Sequence, residues 1–172
     1  GVISYKSITS RTKSPYEMNI SYFDAINNPN NKESIETEVK RFITSQAIIV
    51  GSKGIPGIYI HSLLGSRNDI KGMKRSGINR RINREKLDLN QLEKELNNTE
   101  SIRHNVLKEY KNMLNAKSKR KEFDPYSKQS VITSDKKLFI LERTYKSSKV
   151  HVVINFSRDE IQIRTKAFIN CI

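Results

Sequence analysis

The chain has 172 residues, enough for one real core but short of the roughly 250 that a complete eight-stranded α/β barrel takes, and its one cysteine, Cys171, excludes an intrachain disulfide or a cysteine-based zinc cage. Its net charge of +14 raises nucleic acid as a partner, yet Lys, Asn and Ile are used heavily throughout, so a solvated basic surface is the better reading and no nucleic-acid partner is expected. No apolar run approaches the ~20 residues that span a bilayer, and no signal-type leader follows Gly1, so a soluble, cytoplasmic protein without a membrane partner is expected.

From Gly1 to Asn31, Ser, Thr, Pro and Asn punctuate a polar stretch that reads as loop, with one short helix around Tyr22 to Ile26. Ser34 then precedes Ile35, Val39, Phe42, Ile43, Ala47 and Val50 at helical spacing. Glu36 and Glu38 stand in the first turn, where the helix dipole favours anions, and Gly51 and Gly54 supply the stop. Pro56 and Gly57 turn the chain into Ile58-Tyr59-Ile60-His61-Ser62-Leu63-Leu64, a short apolar run that reads as a strand covered on both faces, as in parallel sheets. Helix, connection and strand make one αβ unit. A lone parallel strand needs neighbours that the rest of the chain does not offer, so this one is expected to be a stave of a barrel encoded elsewhere. The barrel reading drawn from the residues depends on that strand.

Gly65 to Arg84 reads as a Gly- and Arg-rich loop, which in a barrel would lie on the active-site face. Two helices follow. Asp88 with Gln91 resembles a capping box ahead of Leu89, Leu92 and Leu96, and Ile102, Val106, Tyr110, Met113 and Leu114 form one stripe of a longer helix. Past the basic run Lys117 to Lys121 and the Asp124-Pro125-Tyr126 turn, the period becomes two. Val131-Ile132, Leu138 to Leu141, Val150 to Phe156, and Ile161 with Ile163 predict an antiparallel meander, turning at Lys146-Ser147-Ser148 and Ser157-Arg158-Asp159. Ala167 to Ile172 read as an edge strand or an arbitrary end.

Gly51-Ser52-Lys53-Gly54 follows a helix rather than preceding one, so it is a helix stop and not a phosphate-binding loop. His61, His104 and His151 are too scattered for a metal site; no metal and no cofactor is expected, and His61 reads as structural. Retaining sugar transfer uses two carboxylates about 5 Å apart. Glu17, Asp24, Asp69 and Glu85 are the candidates, but none can be paired, so no catalytic residue is assigned in this chain. The cations Lys71, Lys74, Arg75, Arg80, Arg81 and Arg84 could form a solvated loop, grip nucleic-acid phosphate, or hold a phosphate or sugar. Their place after the expected strand favours the last, and no interleaved aromatics offer a stacking platform.

Three segments carry a family resemblance. Ser14-Pro15-Tyr16-Glu17-Met18-Asn19-Ile20-Ser21-Tyr22-Phe23-Asp24-Ala25, the stretch from Gly54-Ile55-Pro56-Gly57 through Gly65-Ser66-Arg67-Asn68-Asp69, and Asn79-Arg80-Arg81-Ile82-Asn83-Arg84-Glu85-Lys86-Leu87 resemble the sucrose phosphorylase-like branch of the α-amylase superfamily (glycoside hydrolase family 13) in wording, order and spacing. Within it the wording is nearest the glucosylglycerate phosphorylase and sucrose 6-phosphate phosphorylase group. The resemblance implies an α/β fold: residues 1–122 as the C-terminal portion of a (β/α)8 TIM barrel, with its last helix, last strand, active-site loop and closing helices, and residues 123–172 as a small antiparallel β domain. It implies transfer of a glucosyl unit from sucrose or a related α-glucoside to inorganic phosphate by retaining double displacement, the sugar and the phosphate being the partners. The three catalytic carboxylates would precede Gly1, so the chain alone is expected to be inactive. Arg80 would bind the glucosyl unit, Tyr16 and Glu17 would shape the acceptor subsite, and Asn68 and Asp69 would contribute to substrate binding through a matching motif. Arg81 and the surplus of Lys depart from the family pattern. Hydrolysis within the same superfamily and a basic nucleic-acid-binding module are the alternatives.

Overall fold

Within residues 1–9, 11–31, 33–132 and 136–163, which the computed structural model describes, the chain opens on a hairpin rather than the expected loop. Val2–Ser7 (β1) and Lys13–Asn19 (β2) pair antiparallel, Val2 opposite Asn19 and Ser7 opposite Lys13, with a register shift between Ser4 and Tyr5. Most of the ribbon is exposed on both faces, so no apolar alternation marks it, and Pro15 sits opposite Tyr5 beside the irregularity, a place where a strand tolerates proline. Buried Asn19 ties the strands, its Nδ2 donating to Ser4 Oγ (2.9 Å).

Tyr22–Ile26 (α1) is the expected short helix, capped by Ser21 Oγ, which accepts from the Asp24 N–H (3.2 Å). Ile35–Gly51 (α2) is likewise expected, with Ser34 Oγ accepting from the Thr37 N–H (3.2 Å) and Val39, Phe42 and Val50 buried along one stripe.

The strand expected at Ile58–Leu64 does not form. Ile60–Leu63 (α3) is a single helical turn with Tyr59 as its extended N-cap. The backbone finds its partners locally: the Gly65 N–H reaches Ser62 O (3.1 Å) and the Ser66 N–H reaches His61 O (2.8 Å), with Gly65 in the left-handed region (φ 57°). That double closure is a Schellman stop, which Leu64-Gly65 could have announced. His61 is therefore on a half-buried turn and not in a strand.

The expected loop 65–84 is also structured. Asp69 caps Ile70–Ser76 (α4), Gly77 (φ 66°) ends it, and Asn79–Asn83 forms a 3₁₀ turn. Leu89–Asn97 (α5), capped by Asp88, and Ile102–Ser118 (α6) follow as expected. Gln91 does not complete the capping box, because its amide bonds Glu95 Oε1 (2.9 Å) instead.

Lys128–Val131 (β3), Leu138–Tyr145 (β4) and Ser148–Asn155 (β5) make the expected antiparallel meander in the order β3-β4-β5. Ile161 and Ile163 lie in no strand, and the edge strand expected at Ala167 to Ile172 lies outside the described residues.

Two compact units result. Gly1–Ile43 with Ile58–Tyr110 encloses Phe23, Val39, Phe42, Leu64, Ile82, Val106 and Tyr110, with the Phe23 and Phe42 rings 5.1 Å apart. Thr44–Gly57 with the described residues from Lys111 onward encloses Val50, Leu138, Ile140, Leu141 and Ile154. The described residues are thus α/β with two small antiparallel sheets, and no parallel strand pair occurs among them.

Candidate functional site

The 3₁₀ turn Asn79–Asn83 gathers the segments of interest in the first unit. Arg80 Nε donates to Glu17 Oε2 at 3.0 Å across 63 positions of sequence, joining the turn to β2. Next to it Asn79 Nδ2 donates to Ser4 Oγ (3.0 Å), and Asn83 Nδ2 reaches Ile20 O (3.4 Å). The Glu17 carboxylate, with Tyr16 contributing, holds the Arg80 guanidinium above its ordinary range. Arg80 and Glu17 remain open to solvent, Tyr16 is 63% exposed, and Lys6 Nζ stands 5.9 Å from the Tyr16 ring centroid. Asn83 Oδ1 is buried with no hydrogen-bond partner among the described residues. A guanidinium, an ammonium and a phenol as donors and a carboxylate as acceptor thus share one accessible surface, a mix that suits sugar hydroxyls, while the two cations suit oxyanions.

Asn68 and Asp69 serve the architecture of the same unit. Asn68 Oδ1 accepts from the Ser21 N–H (2.7 Å), and its own N–H donates to Asp24 Oδ2 (2.7 Å). Asp69 Oδ1 accepts from the Gly72 N–H (2.7 Å), so close a wrap that a Cβ at Gly72 would fall 1.9 Å from Asp69 Oδ2. The other carboxylate oxygen lies 3.5 Å from an Arg81 nitrogen, which gives this departure from the family pattern a tie to the motif. Arg67 is the hub: it pairs with Asp24 Oδ1 (2.8 Å) and with Glu38, both buried, and stacks 5.0 Å from the Phe23 ring centroid. The Gly65 to Asp69 motif therefore builds the site's frame. Arg80, Tyr16 and Glu17 come together on its surface, whereas Asn68 and Asp69 meet them only through the turn.

A third cluster lies nearby in the sequence of contacts. Ser66 Oγ receives Arg103 NH1 (2.8 Å) and lies 3.0 Å from His61 Nδ1, while Arg103 also pairs with Glu85 (2.7 Å) and Glu95. Burial pushes the His61 imidazole below its ordinary value, with Glu85 opposing the shift. The sequence offered no sign of Ser4 or Lys6, and Asn79 entered only as the first residue of a resembling segment, with no role attached. Among the described residues no group of three His, Cys, Asp or Glu could hold a metal ion, and no helix is long and apolar enough to cross a membrane.

No protein-family model matches the chain. It is 42% identical over 143 residues to the glucosylglycerate phosphorylase of Spirochaeta thermophila, 34% over 143 residues to that of Escherichia coli, and 38% over 127 residues to that of Allomeiothermus silvanus. These alignments take in 83%, 83% and 74% of the chain but 24%, 25% and 23% of the relatives, so the chain spans about a quarter of the length of the curated relatives it matches. The crystal structure of sucrose 6F-phosphate phosphorylase from Thermoanaerobacter thermosaccharolyticum superposes with a TM-score of 0.66 at 18% identity, over 83% of this chain and 25% of that one. At that identity the likeness concerns fold alone.

Proposed function

The chain belongs to the sucrose phosphorylase-like branch of the α-amylase superfamily, and from that membership we propose that it is part of a cytoplasmic glycoside phosphorylase, a hexosyltransferase that moves a glucosyl unit from an α-glucoside to inorganic phosphate with retention. The observation that carries this is the 34–42% identity to three glucosylglycerate phosphorylases, which also favours glucosylglycerate over sucrose as the donor. In this reading residues 1–122 belong to the C-terminal part of the whole protein's barrel domain and 123–172 form its β domain. Arg80 holds the glucosyl unit, Tyr16 and Glu17 border the acceptor subsite, and Asn68 and Asp69 contribute through the loops they brace.

The ion pair between Arg80 and Glu17 supports the assignment, since it couples the donor-binding arginine to the acceptor loop. A phosphate or sugar arriving there would exchange Glu17 for its own oxygens without moving the guanidinium. The test is an assay of the protein at the full length of those relatives, with glucosylglycerate or sucrose, with and without phosphate. Glucose 1-phosphate should form only when phosphate is present, and Arg80→Lys should lower kcat/KM by about a hundredfold, the order reached when one transition-state donor is removed. Free glucose released at the same rate without phosphate would replace phosphorolysis with hydrolysis.

A further inference from the structure

The second unit holds cations that the proposed function leaves unused. An open cavity of about 620 Å3 is lined by Lys117, Lys119, Arg120 and Lys121, with Asp124 as its one acid and Phe123 and Tyr145 as its rings. The acid within the run is turned away: Glu122 is buried, and its carboxylate accepts from Ser148 Oγ. That bond, its own backbone N–H and the charge of Arg120 hold Glu122 below the usual carboxylate range. Asp124 Oδ1 accepts from the Tyr126 N–H (2.8 Å).

Of the four cations, Lys117 is committed, donating to Val50 O (2.7 Å) with its Nζ 5.4 Å from the Phe123 ring centroid. Lys119, Arg120 and Lys121 form no salt bridge or side-chain hydrogen bond with any described residue. Further positive charge stands close by. Arg143, 0% exposed and in no salt bridge among the described residues, lies 5.8 Å from the Phe123 ring centroid, and Lys146 lies 5.7 Å from that of Tyr145. Arg143 donates to the Gly51 and Asp124 carbonyls (3.2 and 2.8 Å) and the Asp124 carboxylate offsets part of its charge; the remainder, poorly screened because it is buried, adds to the field of Lys119, Arg120 and Lys121.

We propose that this cavity is a binding site for a small organophosphate, an ester or oligophosphate of metabolite size, gripped by Lys119, Arg120 and Lys121. Its volume lies in the range of small-molecule sites, roughly 300–1,000 Å3. A nucleic-acid interface would instead spread cations over about 1,000 Å2 or more, whereas these are confined to one short run. Arg120 offers the planar fork that phosphate oxygens accept in pairs. None of Arg80, Tyr16 and Glu17 lines the cavity, so the site does not rest on the phosphorolysis reading.

The experiment is calorimetric titration of the 172-residue chain with inorganic triphosphate at low salt, comparing wild type, Lys119→Gln/Lys121→Gln and the charge-matched control Lys94→Gln/Lys108→Gln. Circular dichroism confirms that each is folded. The cavity pair should weaken binding about tenfold or more and the control less than about twofold. Equal weakening by both pairs, or no binding by wild type, would overturn the site. A DNA duplex of roughly 20 base pairs that bound more tightly than triphosphate, with a log–log salt slope of several phosphates, would replace it with a nucleic-acid interface.

Discussion

Arg67 pairs with the two most buried carboxylates in any ion pair of the first unit's described residues, the Asp24 and Glu38 side chains being 3% and 5% exposed. Arg67→Met would strand the Asp24 carboxylate and leave Glu38 only the more distant charge of Arg41. Breaking a buried pair costs ~3–5 kcal/mol, and the partial exposure of Arg67 discounts this to about 2–3 kcal/mol. The urea midpoint of unfolding reads the loss, and adding Asp24→Asn with Glu38→Gln should return much of it. Tyr110 makes a second prediction. Burial, with Tyr22 adding to it, pushes its phenol up to about 12 from 10.0. A raised acid stabilises the fold while it stays neutral, so that contribution is complete below the unfolded pKa and fades as pH climbs from about 10 through 12. Tyr110→Phe should flatten this alkaline limb of the stability curve; an unchanged limb would place the titration elsewhere.

At the scale of elements, α1, α2, α5 and α6 were legible because their signals are local, whereas α4 was expected as loop. Ser34 before a helical stripe and Asp88 three residues before Gln91 each named a cap that forms. The hairpin β1–β2 was not legible, because a ribbon with both faces largely exposed shows no alternation and is held by register and by Asn19. Ile58–Leu64 misled for a related reason. An apolar run four to eight residues long suits a buried strand or a helical turn equally, and the Gly65 stop decides it here. A Cβ at Gly65 would lie 2.8 Å from Val106 Cγ2 and sit at φ 57°. Gly65→Ala should therefore destabilise by about 2 kcal/mol, roughly half from the left-handed backbone and half from the clash. Measured in a Val106→Ala background, the same change should cost less, because the 2.8 Å contact is gone while Ile102 Cγ2 (3.1 Å) and the Cβ of residue 106 (3.2 Å) remain.

For the whole molecule, the family was legible in three runs of residues whose wording survives, while the site was legible only in part. Arg80, Tyr16 and Glu17 meet as a group, but the barrel route to them failed with its strand, and membership rests on the relatives instead. Each candidate carboxylate is engaged: Glu17 with Arg80, Asp24 with Arg67, Asp69 as a helix cap beside Arg81, and Glu85 with Arg103. A double displacement needs one free nucleophile and one acid about 5 Å apart. The 172-residue chain by itself should thus release no glucose 1-phosphate from sucrose or glucosylglycerate above a blank, and measurable release would mean that one of these four is catalytic.

The sequence by itself determined the helices opened by Ser34 and Asp88, three of the four strands expected in the meander, and the family, because each is written in residues a few positions apart or in runs of shared wording. Only the tertiary structure decided that Ile60–Leu63 closes as a turn, that the first residues pair as a hairpin, and that Glu17 finds Arg80 across 63 positions. Which donor or charge a group meets depends on the chain folded against it, and that is not encoded in the group's neighbours along the sequence.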